Sequence, residues 1–548
     1  MEQTWQLENP IIGIGIVAAS FVLFYFISWF SNRASKSVED LYVAGGGVGP
    51  ITNGLAMAST YMSLATFLGV TGLILNLKAP FVFIWIQMIL AIPLITIIYG
   101  TCLRRMGAYS PAHFVKERYG RSAAVIVALW MILISIMYAL GQMIGIAKTF
   151  ELLFGIPYMT GLFVGGLLIT GYVTIGGMRG ATNNAAIQMV IIALMFIVPL
   201  GAIMKAMGST GWYFPPLLYA DMVPSMLEAV PDFFDYQFGV KWYFAIIPAL
   251  TLGSLGLPHL AMRIYTASSL KSARQAMVWF ALILGLVFSA TYTMGFAGVF
   301  FNNTNGNIIS AADADKLTII LNLVYNPDWV TALVIAGAIS AGISTLSGNL
   351  LAIGALLSQD IITTLVPNIT NKAKMRIGYF AIALGGIVSI LLALQPPAFL
   401  VVSILWAFGL AAVTNAPIIL MGVWWKGANK FGAITSVVVA GLLYVIVSPF
   451  VFPGIVVSGH ALTDSLGLSG AMLCVPIAFI VLIVVSIITN RMPRFQNRLT
   501  TQQDHKLIEL IHGWSDVNPA RYNSVIGTVV VIVVSALTLI WAITPWQF

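Results

Sequence analysis

Apolar runs of about 20 residues, separated by short polar clusters, recur along the whole chain. Their length suits membrane-spanning helices. Their continuity, without apolar–polar alternation, excludes a transmembrane β-barrel. About 14 candidate spans result, at roughly 10–31, 49–77, 80–105, 122–150, 157–177, 181–207, 240–265, 271–302, 327–365, 374–394, 397–425, 429–452, 466–490 and 523–546. The 327–365 run is longer than a bilayer needs and is expected to project beyond it. The predicted fold class is an all-α polytopic membrane protein.

Two spans are interrupted. Gly54–Gly69 gathers small and hydroxyl residues at mid-span. Gly253–Arg263 contains Gly253 and Gly256, which loosen a turn, and Pro258, which removes a backbone donor. The two stand five spans apart. With the first span set aside, they open two consecutive five-helix units, and an odd number of helices inverts the second unit relative to the first. Interrupted spans in matching positions of two halves point to the binding site of a secondary transporter. The predicted organisation is an N-terminal extra helix and loop (1–48), a first repeat (49–239), an inverted second repeat (240–426) and accessory helices (427–548).

Ser344, Thr345 and Ser347 cluster in the otherwise apolar 327–365 run. Such hydroxyls can bond back to carbonyls one turn earlier at little cost. Beside carbonyls freed by a helix break, they can also ligate a small hard cation. A cation between the break near Ser59–Met62 and the hydroxyls of Ser344 and Thr345 would join the two repeats.

Composition sharpens the class. The chain is 59% hydrophobic and only 8% charged, where soluble domains carry about 25%. The net charge of +8 does not mark a nucleic-acid surface, because the basic residues punctuate the apolar runs. With the N-terminus outside, about 21 of the 26 basic residues fall on the cytoplasmic side, and Lys78, Lys148, Lys205, Lys241 and Lys316 remain outside. Both termini are therefore expected outside a plasma (inner) membrane. Outside too are two long loops, 208–239 and 302–327, candidates for lids or ordinary connections. Ser110–Gly120 is expected to form a short cytoplasmic helix, and 499–520 a partly helical cytoplasmic surface segment. The first run follows Glu2 and Glu8, with no basic leader, and is taken as a retained helix. Cys102 and Cys474 lie in separate runs and suggest neither a disulfide nor a metal site.

Several motifs resemble the sodium:solute symporter family. They are Ala341-Gly-Ile-Ser-Thr-Leu-Ser347 with Ser358-Gln-Asp360, the Leu-Pro-His within Gly253–Arg263, and Tyr172-Val-Thr-Ile-Gly-Gly177. The resemblance runs from about Ser37 to Asn490. Ala44-Gly-Gly46, Tyr61-Met-Ser63, Phe67-Leu-Gly69, Gln142-Met-Ile-Gly145, Glu151-Leu-Leu-Phe-Gly155 and Gly256–Arg263 look most like its acetate and short monocarboxylate permeases. The resemblance implies a leucine-transporter-type 5+5 inverted repeat with two broken helices. It implies Na⁺ as coupling ion, held by backbone carbonyls of Ser59, Met62 and Ala341 and hydroxyls of Ser344 and Thr345. A second sodium site, present in some members, would need oxygens where this chain has Ala185 and Gly348, so one Na⁺ per substrate is expected. Family substrate or gate positions fall on Ser63, Thr66, Thr251 and Ser254.

Gln142 places an amide at membrane depth, for substrate or for an interhelical bond. Tyr61, Phe67, Tyr138, Trp406 and Phe408 are candidate walls or gates, or simply packing. Lys148 and Glu151 are expected to pair across one turn. His259 and Arg263 are expected to end a helix and anchor a loop, which leaves the site without an internal charge. A small monoanion, held by hydroxyls and a helix N-terminus and offset by Na⁺, fits such a site with least. The expected function is inward Na⁺-coupled symport of acetate, propionate, lactate or pyruvate by alternating access. An amino-acid or other organic solute, or a transporter-like sensor, are the alternatives. A channel is disfavoured for want of a filter motif. An enzyme is disfavoured because no nucleophile–base pair is visible, and no cofactor is expected beyond the coupling ion.

Overall fold

The computed structural model describes residues 5, 7, 9–32, 37–85, 91, 95, 100–209, 215–396, 400–448, 451–452, 455–456, 469–492 and 501–513. Its order begins with α1 (Pro10–Asn32), α2 (Val38–Val43), α3 (Pro50–Tyr61), α4 (Val70–Trp85), α5 (Thr101–Met106), α6 (Pro111–Tyr119), α7 (Arg121–Phe154) and α8 (Tyr158–Ala206). There follow α9 (Pro215–Ala229), α10 (Ile247–Gly256), α11 (Pro258–Tyr265), α12 (Leu270–Thr304), α13 (Leu317–Tyr325) and α14 (Asp328–Ala355). The chain continues with α15 (Asn371–Leu392), α16 (Leu400–Trp424), α17 (Lys430–Val447), α18 (Ala471–Arg491) and α19 (Thr501–His512). A minimal antiparallel pair, Val451–Phe452 with Ile455–Val456, is the departure from all-helical structure among the described residues.

Among the described residues, eleven helical segments are long and apolar enough to cross a membrane. The predicted 523–546 span lies outside the described residues, as does much of the middle of 80–105. Two predicted spans, 157–177 and 181–207, run together in α8, whose 49 residues would reach about 74 Å if straight. They do not run straight. Gly177 sits at φ 56, ψ −170, a conformation closed to other residues without strain. Tyr25 donates to the Leu168 carbonyl, while Asn184 Nδ2 donates to the adjacent Phe24 carbonyl at 3.2 Å. Both ends of the segment thus reach one turn of α1, so the chain doubles back at Gly177.

Burial orders the bundle. The apolar stretch of α16 is 94% buried and that of Asp328–Leu365 is 89% buried, against 22% for α1. The first two are central, and α1 lies on the outside. The long 327–365 run continues beyond α14 as a wider π-helical turn, Leu356–Ile362.

Helix ends gather on two faces. On one, the Val48 amide bonds the Thr266 carbonyl at 3.0 Å, and Arg104 Nε bonds the Ala267 carbonyl at 2.9 Å. Ser110 Oγ bonds Asp360 at 2.5 Å, and Arg118 Nε the Gly422 carbonyl at 3.1 Å. On the other, Lys148 meets Asp315 at 2.8 Å, the Asn9 amide meets Asp328 at 2.7 Å, and Tyr158 meets the Ala393 carbonyl at 2.8 Å. We call these the Arg104 face and the Asp315 face. The two long loops of the Asp315 face are largely helical, through α9 and through a 3₁₀ turn (Ala311–Lys316) leading into α13. The short helix expected at Ser110–Gly120 forms as α6, and Ser110 caps it by accepting from the His113 amide.

Candidate ion and solute site

The first break decides the local chemistry. Helix α3 ends at Tyr61, and Met62 (φ −75, ψ 80) turns the chain into a π turn, Ala65–Gly69, before α4. A helix end strands carbonyls that lack an amide four residues on. Here the Ser63 amide turns to the Tyr61 carbonyl at 3.0 Å, and the Leu64 amide goes to Gln142 Oε1 at 3.1 Å. The carbonyls of Ser59 and Thr60 are left for other donors. Helix α14 supplies them: Ser344 Oγ lies 2.8 Å from the Ser59 carbonyl, and Thr345 Oγ1 lies 2.9 Å from that of Thr60. Ser344 Oγ is also 2.9 Å from the Ala341 carbonyl. Ser59, Ala341 and Ser344 thus converge in oxygen, Thr345 stands beside them, and Met62 is buried in the break. These oxygens are neutral. A monovalent hard cation needs no more, provided the hydroxyl protons turn away as it enters.

The second break lies at Leu257, between α10 and α11, where the chain is extended (φ −70, ψ 120). Gly253 and Gly256 let α10 lie directly on α16: a Cβ on either would collide with the carbonyl oxygen of Phe408 or Ala411. Asn415 Nδ2 takes the stranded Gly256 carbonyl at 2.8 Å. Ser254 Oγ gives its proton to the Leu250 carbonyl at 2.6 Å, so Tyr61 donates to Ser254, also at 2.6 Å. That bond ties the two breaks together. Tyr61 meets Phe280 and Phe408 edge-on at 5.6 and 6.1 Å, and Tyr138 lies 5.7 Å from Phe408 and 4.9 Å from His259. Ser63 lies against the Tyr138 phenol.

Other sequence candidates sit elsewhere or turn inward on themselves. Phe67 packs tilted against Phe196, ring centroids 4.4 Å apart, and its carbonyl accepts from Thr318 of α13 at 2.9 Å. Trp406 packs on Tyr444 at 5.7 Å. Thr251 bonds back to the Ile247 carbonyl at 2.8 Å. Thr66 is buried in the π turn, its amide on the Ser63 carbonyl at 2.9 Å. Gln142 Nε2 is buried and without a partner among the described residues.

Two expectations need correction. Lys148 pairs with Asp315, far along the chain, and not with Glu151, because Asp315 is nearly buried against α7 and offers a drier partner. His259 and Arg263 do not anchor a loop. Both are buried, and Arg263 bonds Thr182 at 2.6 Å and Thr60 at 3.0 Å inside the bundle. Sequence reasoning also missed Phe280, Asn415 and Thr60. Of these, only Asn415, an amide in an apolar run, carried a visible signal.

A profile of the sodium:solute symporter family matches residues 41–440. The chain belongs to that family. This symporter is 29% identical over 445 residues to the uncharacterised symporter YwcA of Bacillus subtilis, across 78% of this chain and 84% of that one. Among solved structures it resembles a Na⁺-coupled sialic acid symporter in a substrate-bound, outward-open state, with TM-score 0.71 and 17% identity over 87% of this chain and 97% of the other. It also resembles Mhp1, a nucleobase-cation-symport-1 family transporter, with TM-score 0.52 and 14% identity over 86% and 98%. At such identities these two show the fold, the leucine-transporter type. As a family member the protein is a multi-pass membrane transporter that couples a small solute to Na⁺, and not an enzyme.

Proposed function

We propose that this symporter carries a small monocarboxylate, of the size of acetate, propionate, lactate or pyruvate, with one Na⁺. The observation that carries this reading is Gln142. Its Oε1 holds the Leu64 amide at the break, and its Nε2 is a buried donor with no partner among the described residues. Such a donor needs an acceptor. A carboxylate there lies close to the ion held by Ser59, Met62, Ala341, Ser344 and Thr345, which offsets its charge. Ser63 and Thr66 offer further hydroxyls, and Tyr61, Tyr138 and Phe408, which pack together, would form the wall for a short apolar tail. Ala185 and Gly348 offer no side-chain oxygen for a second ion. The Arg104 face, rich in Arg and Lys, is the cytoplasmic one under the positive-inside rule, with both termini outside.

One Na⁺ with one monoanion moves no net charge. A second Na⁺ would move one charge, worth about 2.3 kcal/mol per 100 mV. Uptake of radiolabelled acetate into proteoliposomes should therefore require a Na⁺ gradient and ignore an imposed K⁺-diffusion potential. Equal uptake in choline would remove the sodium role, and potential-driven uptake would remove the stoichiometry. Unlabelled propionate, lactate and pyruvate should compete. Competition by proline alone would point to an amino-acid carrier. Replacing Ser344 and Thr345 by Ala should raise the Na⁺ needed for half-maximal uptake by about tenfold or more. An unchanged requirement would remove the site assignment.

A further inference from the structure

Arg263 is fully buried in the bundle, and the hydrogen bonds from its guanidinium go to hydroxyls, from Nη1 to Thr182 and from Nη2 to Thr60. Its Nε has no partner, and no carboxylate among the described residues pairs with it. A buried cation without an anion is costly, and at membrane depth such a group marks a path for charge. His259 stands four residues earlier on α11, which places it on the same face. Both its ring nitrogens are buried, with Asn349 of α14 beside them, and its ring rests on Tyr138 of the central site. Gly348 faces the same spot: a Cβ there would lie 2.9 Å from Thr60 and 3.5 Å from His259, so its missing side chain lets α14 pack closely against both. His259 and Arg263 therefore form a line of donors one helical turn long. It starts at the central aromatic wall and runs toward the Arg104 face, where Thr266 and Asn53 hold the end of α11.

We propose that His259 and Arg263 form a second anion station, in which the carboxylate of the solute pauses between the central site and the Arg104 face. This rests on the monocarboxylate reading above. Arg263 Nε and a ring N–H of His259 donate to the carboxylate, and Thr182 and Thr60 hold the guanidinium in place. Thr60 also links the station to the ion: its hydroxyl accepts from Arg263, and its carbonyl accepts from Thr345. Departure of Na⁺ and passage of the anion thus act on one residue.

The test uses the full chain in proteoliposomes of defined orientation, with acetate as probe and half-saturation measured separately from each face. Arg263→Gln should raise the acetate needed for half-maximal exchange from the Arg104 face about tenfold. Half-saturation from the Asp315 face and the Na⁺ requirement should stay within about twofold. Arg263→Lys, which keeps the charge, should restore the Arg104-face value to within about threefold. An unchanged Arg104-face value, or equal changes at both faces without rescue by Lys, overturns the station. Should Arg263→Gln fail to reach the membrane, His259→Gln carries the same test, with a rise of about threefold confined to the Arg104 face expected. Wild-type protein inert toward acetate at both faces would remove the monocarboxylate reading, and the station with it. An active wild type with unaffected variants removes the station alone.

Discussion

Gln142 holds the Leu64 amide with its oxygen and has its Nε2 proposed for the solute, and substitutions separate the two. Gln142→Leu leaves the Leu64 amide buried and unbonded, a cost of about 1–3 kcal/mol. It should lower the unfolding temperature of the detergent-solubilised protein. Gln142→Glu keeps the acceptor but replaces the donor with a charge that repels a carboxylate. It should leave the unfolding temperature close to wild type, raise the half-saturating acetate at least tenfold and spare the Na⁺ requirement. Uptake kinetics beside thermal unfolding check both outcomes. At this scale the sequence was legible where chemistry was conspicuous. Adjacent hydroxyls in an apolar helix announced Ser344 and Thr345. Arg263 was not legible, because a basic residue near a predicted helix end looks the same whether it turns to a loop or to the bundle. Lys148 misled for a similar reason: Glu151 is its neighbour in the helix, and nothing local marks Asp315.

At the scale of elements, both breaks were readable from Gly, Pro and small polar residues, since a helix cannot hide a missing donor or a stranded carbonyl. Their partners were not readable. Asn415 completes the second break from α16, and Gln142 the first from α7, through contacts that only the packed bundle creates. The close approach of α10 to α16 gives a test of this packing. Gly253→Ala places a methyl against the Phe408 carbonyl and should cost about 1–3 kcal/mol. Gly285→Ala, on α12, meets nothing within 4 Å and is the neutral control. Thermal unfolding of the two variants side by side checks the difference. The turn at Gly177 was anticipated as a boundary between spans.

At the scale of the whole molecule, the alternation of basic loops predicted two faces, and the contacts between helix ends assemble them. Helix α19 adds a part that hydropathy alone could not place. It lies on the Arg104 face, where His512 Nε2 bonds the Val423 carbonyl at 2.9 Å and Trp424 meets the ring edge-on at 4.8 Å. Burial first, and the Arg105 charge second, hold the His512 pKa below its ordinary value, against the opposing pull of the Val423 carbonyl. A lowered pKa means that protonation favours the undocked helix. The docking contribution is complete above the ordinary value of about 6.5 and is lost as pH falls through the lower folded value. Amide exchange over 501–512, corrected for its intrinsic pH dependence, should rise between pH 7 and pH 5, and His512→Gln should flatten that rise.

A symporter must also make half of its journey with nothing aboard. In this structure the oxygens expected to hold Na⁺ are already joined to one another, Ser344 to Ser59 and Thr345 to Thr60. The hydroxyl protons stand where the cation's charge would be. These two bonds join α14 to the broken end of α3, and so stitch one repeat to the other at mid-span without leaving raw carbonyls facing the membrane interior.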